Sequence, residues 1–584
     1  MNGIEALMPG GALTPQHMMI APILIPLIAA AIMLFYEDRQ RKAKTAISVI
    51  ASVVMLLVAL DLLNRSKGSG PSGGNEIGLY LLGDWPTPFG INLVLDRLSA
   101  LMLVLASILS IPSLIYASAA WQGRGQHFHS LFMFMMMGVN GAFLTGDLFN
   151  LFVFFEIMLA ASYGLMLHGS GAARVRSGMH YIAINLMASL FFLIGVATIY
   201  GVVGTLNMAD LAQRMPYIAS SDRPLVHAGL AILGLAFLVK AGMWPLCFWL
   251  PPTYQAASAP VAAMFAILTK VGVYIILRLT FLTFAPGTGP SAGFGAGVLI
   301  AGGMATLAYG TVGILGSQAM SRMTGFSVLI SSGTLLTVVG LAMGGGGVAM
   351  LAGALYYMIG STIAISGLFL LVELVERGQG SVAAMLALTS DLYGGPDDDP
   401  EEPEGSGFVI PGIMTILGVC FAALAVLLAG MPPLSGFLGK VMILSGMLQG
   451  TGSGPVEWGF MALLILSGLA TLVALVRVGI QTFWAAADDV APKVKATEIA
   501  PIAALILSAV LLTWQARPAM RYMEATAAAL HEPTVYINGV IMAERTVERQ
   551  EQAETAPEPP PEPERERLGP PAPPMGAPAG EVQQ

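Results

Sequence analysis

The sequence predicts an all-α polytopic membrane protein of about fourteen transmembrane helices, and three observations carry that reading. Mean hydropathy is +0.75 and 55% of residues are hydrophobic. Charged residues make up only 11%, where soluble domains carry about 25%. The apolar residues fall in runs, many of about 18 or more, separated by short polar breaks, which is the pattern of spanning helices. A β-barrel is excluded, because its strands alternate apolar and polar residues over about 10 positions. The formal charge of −8 sits largely in one loop and the C-terminal tail and says little about partners. Cys247 and Cys420 lie in apolar surroundings and read as buried free thiols, too few for a metal cluster or disulfide framework.

The spans lie near 19–36, 46–63, 98–119, 129–146, 149–168, 178–203, 226–249, 256–284, 294–316, 324–343, 349–375, 410–449, 459–484 and 498–515. The first has few positive charges before it and Arg39, Arg41, Lys42 and Lys44 after it. It reads as a retained helix with its N-terminus outside. On that orientation about eleven basic residues fall in inside loops and about eight outside. The segment 410–449 is too long for one straight span and is interrupted at Gly430-Met-Pro-Pro433. The segment 226–249 is interrupted after Lys240 by Gly242 and Pro245. Proline removes a backbone donor and clashes with the preceding turn, so carbonyls freed within a membrane need other partners. Broken helices at matching places in two halves point to a transport site, and a proline kink for packing is the competing reading. The acidic run Asp397-Asp-Asp-Pro-Glu-Glu-Pro-Glu404, and a tail rich in Pro and Glu from about Arg545, carry too little apolar surface to fold.

Eight lysines occur, and Lys240, Lys270 and Lys440 fall well inside predicted spans. A lysine at a helix centre costs roughly 2.5–3.5 kcal/mol even on the lenient insertion scale. Glu156 lies in the middle of another span and carries a similar desolvation cost. Removal from water favours the neutral form of an ionisable group, so a buried lysine can exchange protons instead of staying permanently charged. The set therefore reads as a proton relay, against the alternative of a static ion pair that joins helices. His180 opens the sixth span and is placed to relay protons from the inside surface. Ser327, Ser331 and Ser332, with Tyr357, Ser361 and Thr362 on the next span, are placed to line a hydrated path; hydroxyls in membrane helices also commonly bond the preceding turn. Asp147 and Glu373 lie near span ends and read as interfacial. Arg278 and Arg477 lie nearer the ends than the centres and read as snorkelling. Phosphate loops, dinucleotide fingerprints, Cys/His clusters and nucleophile motifs are absent from the sequence, so no cofactor, metal site, nucleic-acid partner or enzymatic chemistry is expected.

Four stretches resemble a known superfamily: Leu148-Phe-Asn-Leu-Phe-Val-Phe-Phe-Glu-Ile-Met158, Lys240-Ala-Gly-Met-Trp-Pro-Leu-Cys-Phe-Trp-Leu-Pro251, Ala262-Ala-Met-Phe-Ala-Ile-Leu-Thr-Lys-Val-Gly-Val-Tyr274 and Gly430-Met-Pro-Pro-Leu-Ser-Gly-Phe-Leu-Gly-Lys440. They are similar to the proton-translocating antiporter-like subunits of respiratory complex I, membrane-bound hydrogenases and Mrp-type cation/proton antiporters. Lysine at 440, and Val203-Gly-Thr-Leu-Asn-Met-Ala-Asp210 after the sixth span, favour the D-type subunit of Mrp antiporters. The resemblance implies two inverted five-helix repeats, each containing a broken helix. The boundaries are then 1–120 for helices 1–3, 129–284 for the first repeat and 294–484 for the second, with an acidic loop at 390–407. The last helix is 498–515 and the tail is 545–584.

The resemblance also implies that Glu156 and Lys240 form a modulating ion pair, with Lys270 the central proton carrier and Lys440 the terminal one. It implies a multisubunit complex in a bacterial inner membrane that exchanges sodium or potassium for protons, with other subunits and lipid as partners. Relatives often carry bridging histidines on spans 10 and 11, where Ser331 and Gly360 stand here, so the link from Lys270 to Lys440 either rests on water and hydroxyls or is weaker. The alternative functions are a proton-pumping subunit of a respiratory or hydrogenase complex, and a scaffold that keeps a buried ion-pair network for assembly.

Overall fold

Apolar runs become helices because a membrane leaves the backbone no partner but itself, and the capping residues of this chain mark where the runs begin. The computed structural model describes residues 17–37, 39–67, 77–286, 288–344, 347–393, 412–450, 454–483 and 494–543, with only the backbone described for 378–393. The acidic run at 397–404, Lys493 and the tail from 545 lie outside the described residues. Everything described belongs to one compact unit, Met1–Ala543.

The first three spans are α1 (Ala21–Leu34), α2 (Arg41–Arg65) and α3 (Arg97–Ala120). Before α3 comes an antiparallel hairpin, β1 (Gly78–Leu81) with β2 (Asn92–Leu95), in which Gly78 faces Leu95 and Leu81 faces Asn92. Asp96 then starts α3 with a capping box, its carboxylate accepting from Ser99 N while the Ser99 hydroxyl accepts from Asp96 N. Next come α4 (Phe128–Leu144), α5 (Leu148–Met166), α6 (Ala172–Val203), the short α7 (Met208–Arg214), α8 (Arg223–Ala241), α9 (Leu250–Ala256) and α10 (Ala259–Thr283). The third group is α11 (Ala296–Gly316), α12 (Met320–Met343), α13 (Val348–Tyr393), α14 (Gly412–Ala429), α15 (Ser435–Gln449) and α16 (Pro455–Phe483). The chain closes with α17 (Ala496–Trp514), α18 (Ala516–His531) and α19 (Pro533–Ile541).

Among the described residues, twelve helices are long and apolar enough to cross a membrane, and α1 and α4 are shorter apolar ones, so the sum is fourteen. Both expected breaks are present. The helix α8 ends at Gly242 (φ +73°) and resumes as α9, and α14 ends at Gly430 (φ +75°) and resumes as α15. Both glycines take the left-handed conformation that closes a helix with little steric cost. The helix α13 differs from expectation, running on to Tyr393 instead of stopping near 375.

The apolar windows of α10 and α12 are wholly buried and that of α13 is 94% buried, whereas those of α2 and α6 are 39% buried. Thus α10, α12 and α13 form the core, wrapped by helices with one face left for lipid or protein. Close approach of α10 to α8 depends on Gly272, where a Cβ would stand 2.8 Å from both Phe237 O and Ala241 N. That contact sets the lysine-bearing stretches of the two helices side by side.

Candidate functional site

The three intramembrane lysines are all buried, Lys240 at 1% exposure, Lys270 at 0% and Lys440 at 7%. They sit on α8, α10 and α15, each in a different packing environment.

Lys240 occupies the last turn of α8, one residue before the helix ends. Its ammonium donates to the Tyr181 hydroxyl and to Asn185 Oδ1, both on α6 and both at 3.3 Å. The rings of Tyr181 and Phe155 lie 5.3 and 6.0 Å from Nζ and supply π-electron density to the cation. Glu156 on α5 acts on Lys240 through space, yet the two are not directly bonded. The Glu156 carboxylate instead accepts a hydrogen bond from the Ser189 hydroxyl, again on α6. The pair implied by the resemblance therefore stands open in this structure.

Lys270 donates to Ser331 Oγ on α12 at 2.8 Å, and Ser331 meets Ser361 Oγ on α13 at 2.9 Å. Ser361 itself donates to Met358 O at 3.3 Å, so the hydrogen between the two serines belongs to Ser331. The hydroxyls thus point away from Lys270 in sequence, and the long last bond is the easiest to reverse. Tyr357 faces Ser331 and Thr334 with its hydroxyl. Thr362 donates to Met358 O of its own helix. Lys440 donates to Ala429 O at 3.0 Å. That carbonyl is among the last of α14, where unpaired C=O groups and the helix dipole favour a cation. Ser435 Oγ, on the same helix as Lys440, is buried without a protein partner among the described residues, and a Cβ on Gly360 would lie 3.1 Å from it. Ser435 opens α15, so the α14–α15 break delivers both this hydroxyl and Lys440 to the core.

Among the weaker candidates, Ser331 and Tyr357 join the lysine network, whereas the Thr362 hydroxyl is spent on its own helix among the described residues. His180 is exposed and takes part in an i−4 contact with Arg176 O, 2.9 Å away; its neighbour Tyr181 turns inward in its place. The expectation of a snorkelling Arg278 is corrected. It is buried in a bidentate pair with Asp96 at 2.6 and 2.7 Å, because Asp96 caps α3 directly opposite α10. Arg477 does reach a span end, donating to Leu315 O and Ser317 O. Asp147 stands at the start of the α5 span, buried against the protein, and its side chain caps α5 by accepting from Asn150 N. Burial pushes that carboxyl up, against the lowering effect of the Asn150 and Phe149 N–H groups. Glu373 accepts from Trp121 Nε1 and pairs with Arg377 at 2.8 Å. Cys247 and Cys420 are buried free thiols. Tyr181, Asn185, Ser189, Ser162 and Ser435 escaped the reading of the sequence, although the four-residue spacing of 181, 185 and 189 in an otherwise apolar helix was a usable signal.

Fourteen spans, two broken helices and a buried line of lysines define a polytopic, antiporter-like membrane subunit. Residues 145–393 match the family described as NADH:quinone oxidoreductase/Mrp antiporter, transmembrane. The chain is 52% identical over 537 residues to the D-type subunit of a probable K(+)/H(+) antiporter of Rhizobium meliloti, covering 91% of this chain and 98% of the relative. It is 32% identical to the D-type subunit of a Na(+)/H(+) antiporter of Alkalihalophilus pseudofirmus, covering 90% and 99%. A chain of the Mrp complex of Dietzia sp. superposes with a TM-score of 0.76 at 26% identity, covering 91% of this chain and all of that one. Within that class, this chain belongs to the family of D-type antiporter subunits.

Proposed function

We propose that the chain is the proton-translocating subunit of a multisubunit monovalent cation/proton antiporter, with Glu156, Lys240, Lys270 and Lys440 carrying the proton. The observation that supports this most directly is the set of three buried lysines, each donating to acceptors in the protein interior and none held in a closed carboxylate pair among the described residues. A purely structural ion pair would close on its partner. These ammonium groups instead face hydroxyl, amide and carbonyl oxygens, partners from which a proton-exchanging group can part at modest cost.

The path runs from Glu156 and Lys240 across the α8–α10 contact to Lys270. It continues through Ser331 and Ser361 to the space beside Gly360 and Ser435, and ends at Lys440. A water hydrogen-bonded to Ser435 would complete the last step. Proton release from Lys270 along this chain requires Ser361 to turn away from Met358 O, and the 3.3 Å bond makes that reorientation inexpensive. The route lies across two five-helix repeats, 129–284 and 294–484.

Glu156 is only half-buried and lies mid-helix on α5, on the same side as the exposed Phe149 and Val153. A carboxylate facing hydrocarbon is costly, which supports a neighbouring subunit covering this side. The greater identity to the relative named for K(+)/H(+) exchange supports potassium over sodium as the exchanged cation. Basic loops favour a bacterial inner-membrane location with the N-terminus outside. Contacts of Arg174 with Ala256 O, Arg377 with Glu498 and Lys495 with Ala119 O gather those loops on one side. Peripheral redox partners, which the respiratory alternative requires, have no counterpart in the names of these two relatives.

The test is cation-dependent proton flux in everted vesicles holding the whole complex, with potassium and sodium compared. Lys240→Met and Glu156→Gln should abolish exchange while the complex still assembles. Normal exchange in both variants would sink the reading, and loss of the complex itself would favour a scaffold.

A further inference from the structure

Helix α6 turns Tyr181, Asn185 and Ser189 toward both Glu156 and Lys240, and the direction of each hydrogen bond is set by what the group already does. The Asn185 amide nitrogen donates to Tyr181 O of its own helix at 2.7 Å. Its oxygen is therefore the atom left to accept from Lys240. Ser162 donates to Leu159 O at 2.7 Å, so Tyr181 is the donor in the 2.7 Å contact between their hydroxyls. The Tyr181 oxygen then accepts from Lys240. Ser189 is the reverse case, a hydroxyl that donates to the Glu156 carboxylate. One helix face thus offers two acceptors to the ammonium and one donor to the carboxylate.

We propose that α6 is a divider, with Ser189 and Asn185 as positioning residues that hold Glu156 and Lys240 apart, so that a direct ion pair forms only when α6 releases them. This rests on the reading of Glu156 and Lys240 as proton carriers and names what regulates their pairing. The two holds are unequal. Ammonium contacts of 3.3 Å to two neutral acceptors are long for bonds to a charged group, which leaves them the weaker hold. Ser189 is consequently the stronger restraint. When it lets go, its hydroxyl has the Asn185 carbonyl one turn back as a fallback acceptor, which keeps the released state from leaving an orphaned polar group.

The assembled complex in vesicles carries the test. Ser189→Ala frees the carboxylate to close on Lys240 and should lower the maximal exchange rate by about tenfold to a hundredfold, the rate equivalent of a hydrogen bond to a charged group. The half-saturating cation concentration and the yield of assembled complex should not change. Ser189→Thr keeps the hydroxyl and should restore the rate, whereas Ser189→Val, which fills the same space without a donor, should not. Asn185→Asp gives Lys240 a permanent carboxylate and should cost at least as much. Wild-type rates in both Ser189→Ala and Asn185→Asp would overturn the divider. So would a Ser189→Thr complex as slow as Ser189→Ala, or a Ser189→Ala complex that fails to assemble. If Lys240→Met and Glu156→Gln abolish exchange while the α6 variants behave as wild type, only the divider falls. If those two variants exchange normally, the proton-carrier reading falls with it.

Discussion

A buried lysine is tolerated only if its ammonium finds acceptors, and the three here find different ones: two side chains for Lys240, one hydroxyl for Lys270, one helix-end carbonyl for Lys440. The same logic governs a buried charge outside that line, Arg278 in its pair with Asp96. Asp96→Asn leaves the guanidinium without its anion and should destabilise the protein by about 3–5 kcal/mol, read as a fall in melting temperature. Adding Arg278→Met should recover much of that loss; an unchanged melting temperature in the single variant would count against the pair. Burial would raise the Asp96 carboxyl, but the Arg278 guanidinium, together with Ser99, holds it below the ordinary carboxylate range. The folded-state value therefore lies below the unfolded one. The resulting stability is fully present above about pH 4 and lost as pH falls through the folded value, which acid unfolding of wild type against Asp96→Asn would show. At this scale the lysines and Glu156 were legible because charge in an apolar run stands out. Of their partners Ser331 was picked out, as a path-lining hydroxyl; Tyr181, Asn185 and Ser189 were not, since membrane helices often spend such polarity on their own backbone.

The breaks in the helices decide where charge can be placed. Gly242 and Gly430 both hold left-handed conformations, and an L-residue there costs roughly 1–2 kcal/mol. Gly242→Ala and Gly430→Ala should both lower the melting temperature. The second should also slow exchange more, because its Cβ would stand 2.7 Å from Lys440 Cδ and displace the ammonium. At Gly242 the added carbon meets Leu250 and Leu329 instead. Equal exchange rates in the two variants would show that the α14–α15 break does not position Lys440. Both breaks were readable from glycine and proline. The end of α13 was not, because hydropathy reports where a helix leaves the bilayer, while the helix itself continues to Tyr393. The hairpin, α7, α18 and α19 were missed because they carry no apolar run.

Across the whole molecule, Trp121 braces the side of the bundle that carries the basic loops. Its indole N–H donates to Glu373 at 2.8 Å, its ring lies under Arg124 and Arg174 at 4.2 and 5.0 Å, and its carbonyl is 3.0 Å from His168 Nε2. Glu373 in turn accepts from Ala259 N at the start of α10, and Arg377 joins it to Glu498 on α17. Trp121→Phe keeps most of the ring and removes the donor, so it should cost about 1.5–3 kcal/mol. Thermal unfolding of the assembled complex checks this, and an unchanged melting temperature would mean that the carboxylate is held well enough by Arg377 alone. By itself the sequence determined the membrane class, the fourteen spans, the two breaks and the four charges inside them, because each is a local departure from apolar composition. Only the tertiary structure decided that Glu156 and Lys240 bond different side chains of α6, that Ser331 and Ser361 join Lys270 to α13, and that Arg278 is paired rather than snorkelling. Those contacts join residues 30 to 182 positions apart, and which polar groups meet over such separations is settled by helix packing, not by any local pattern.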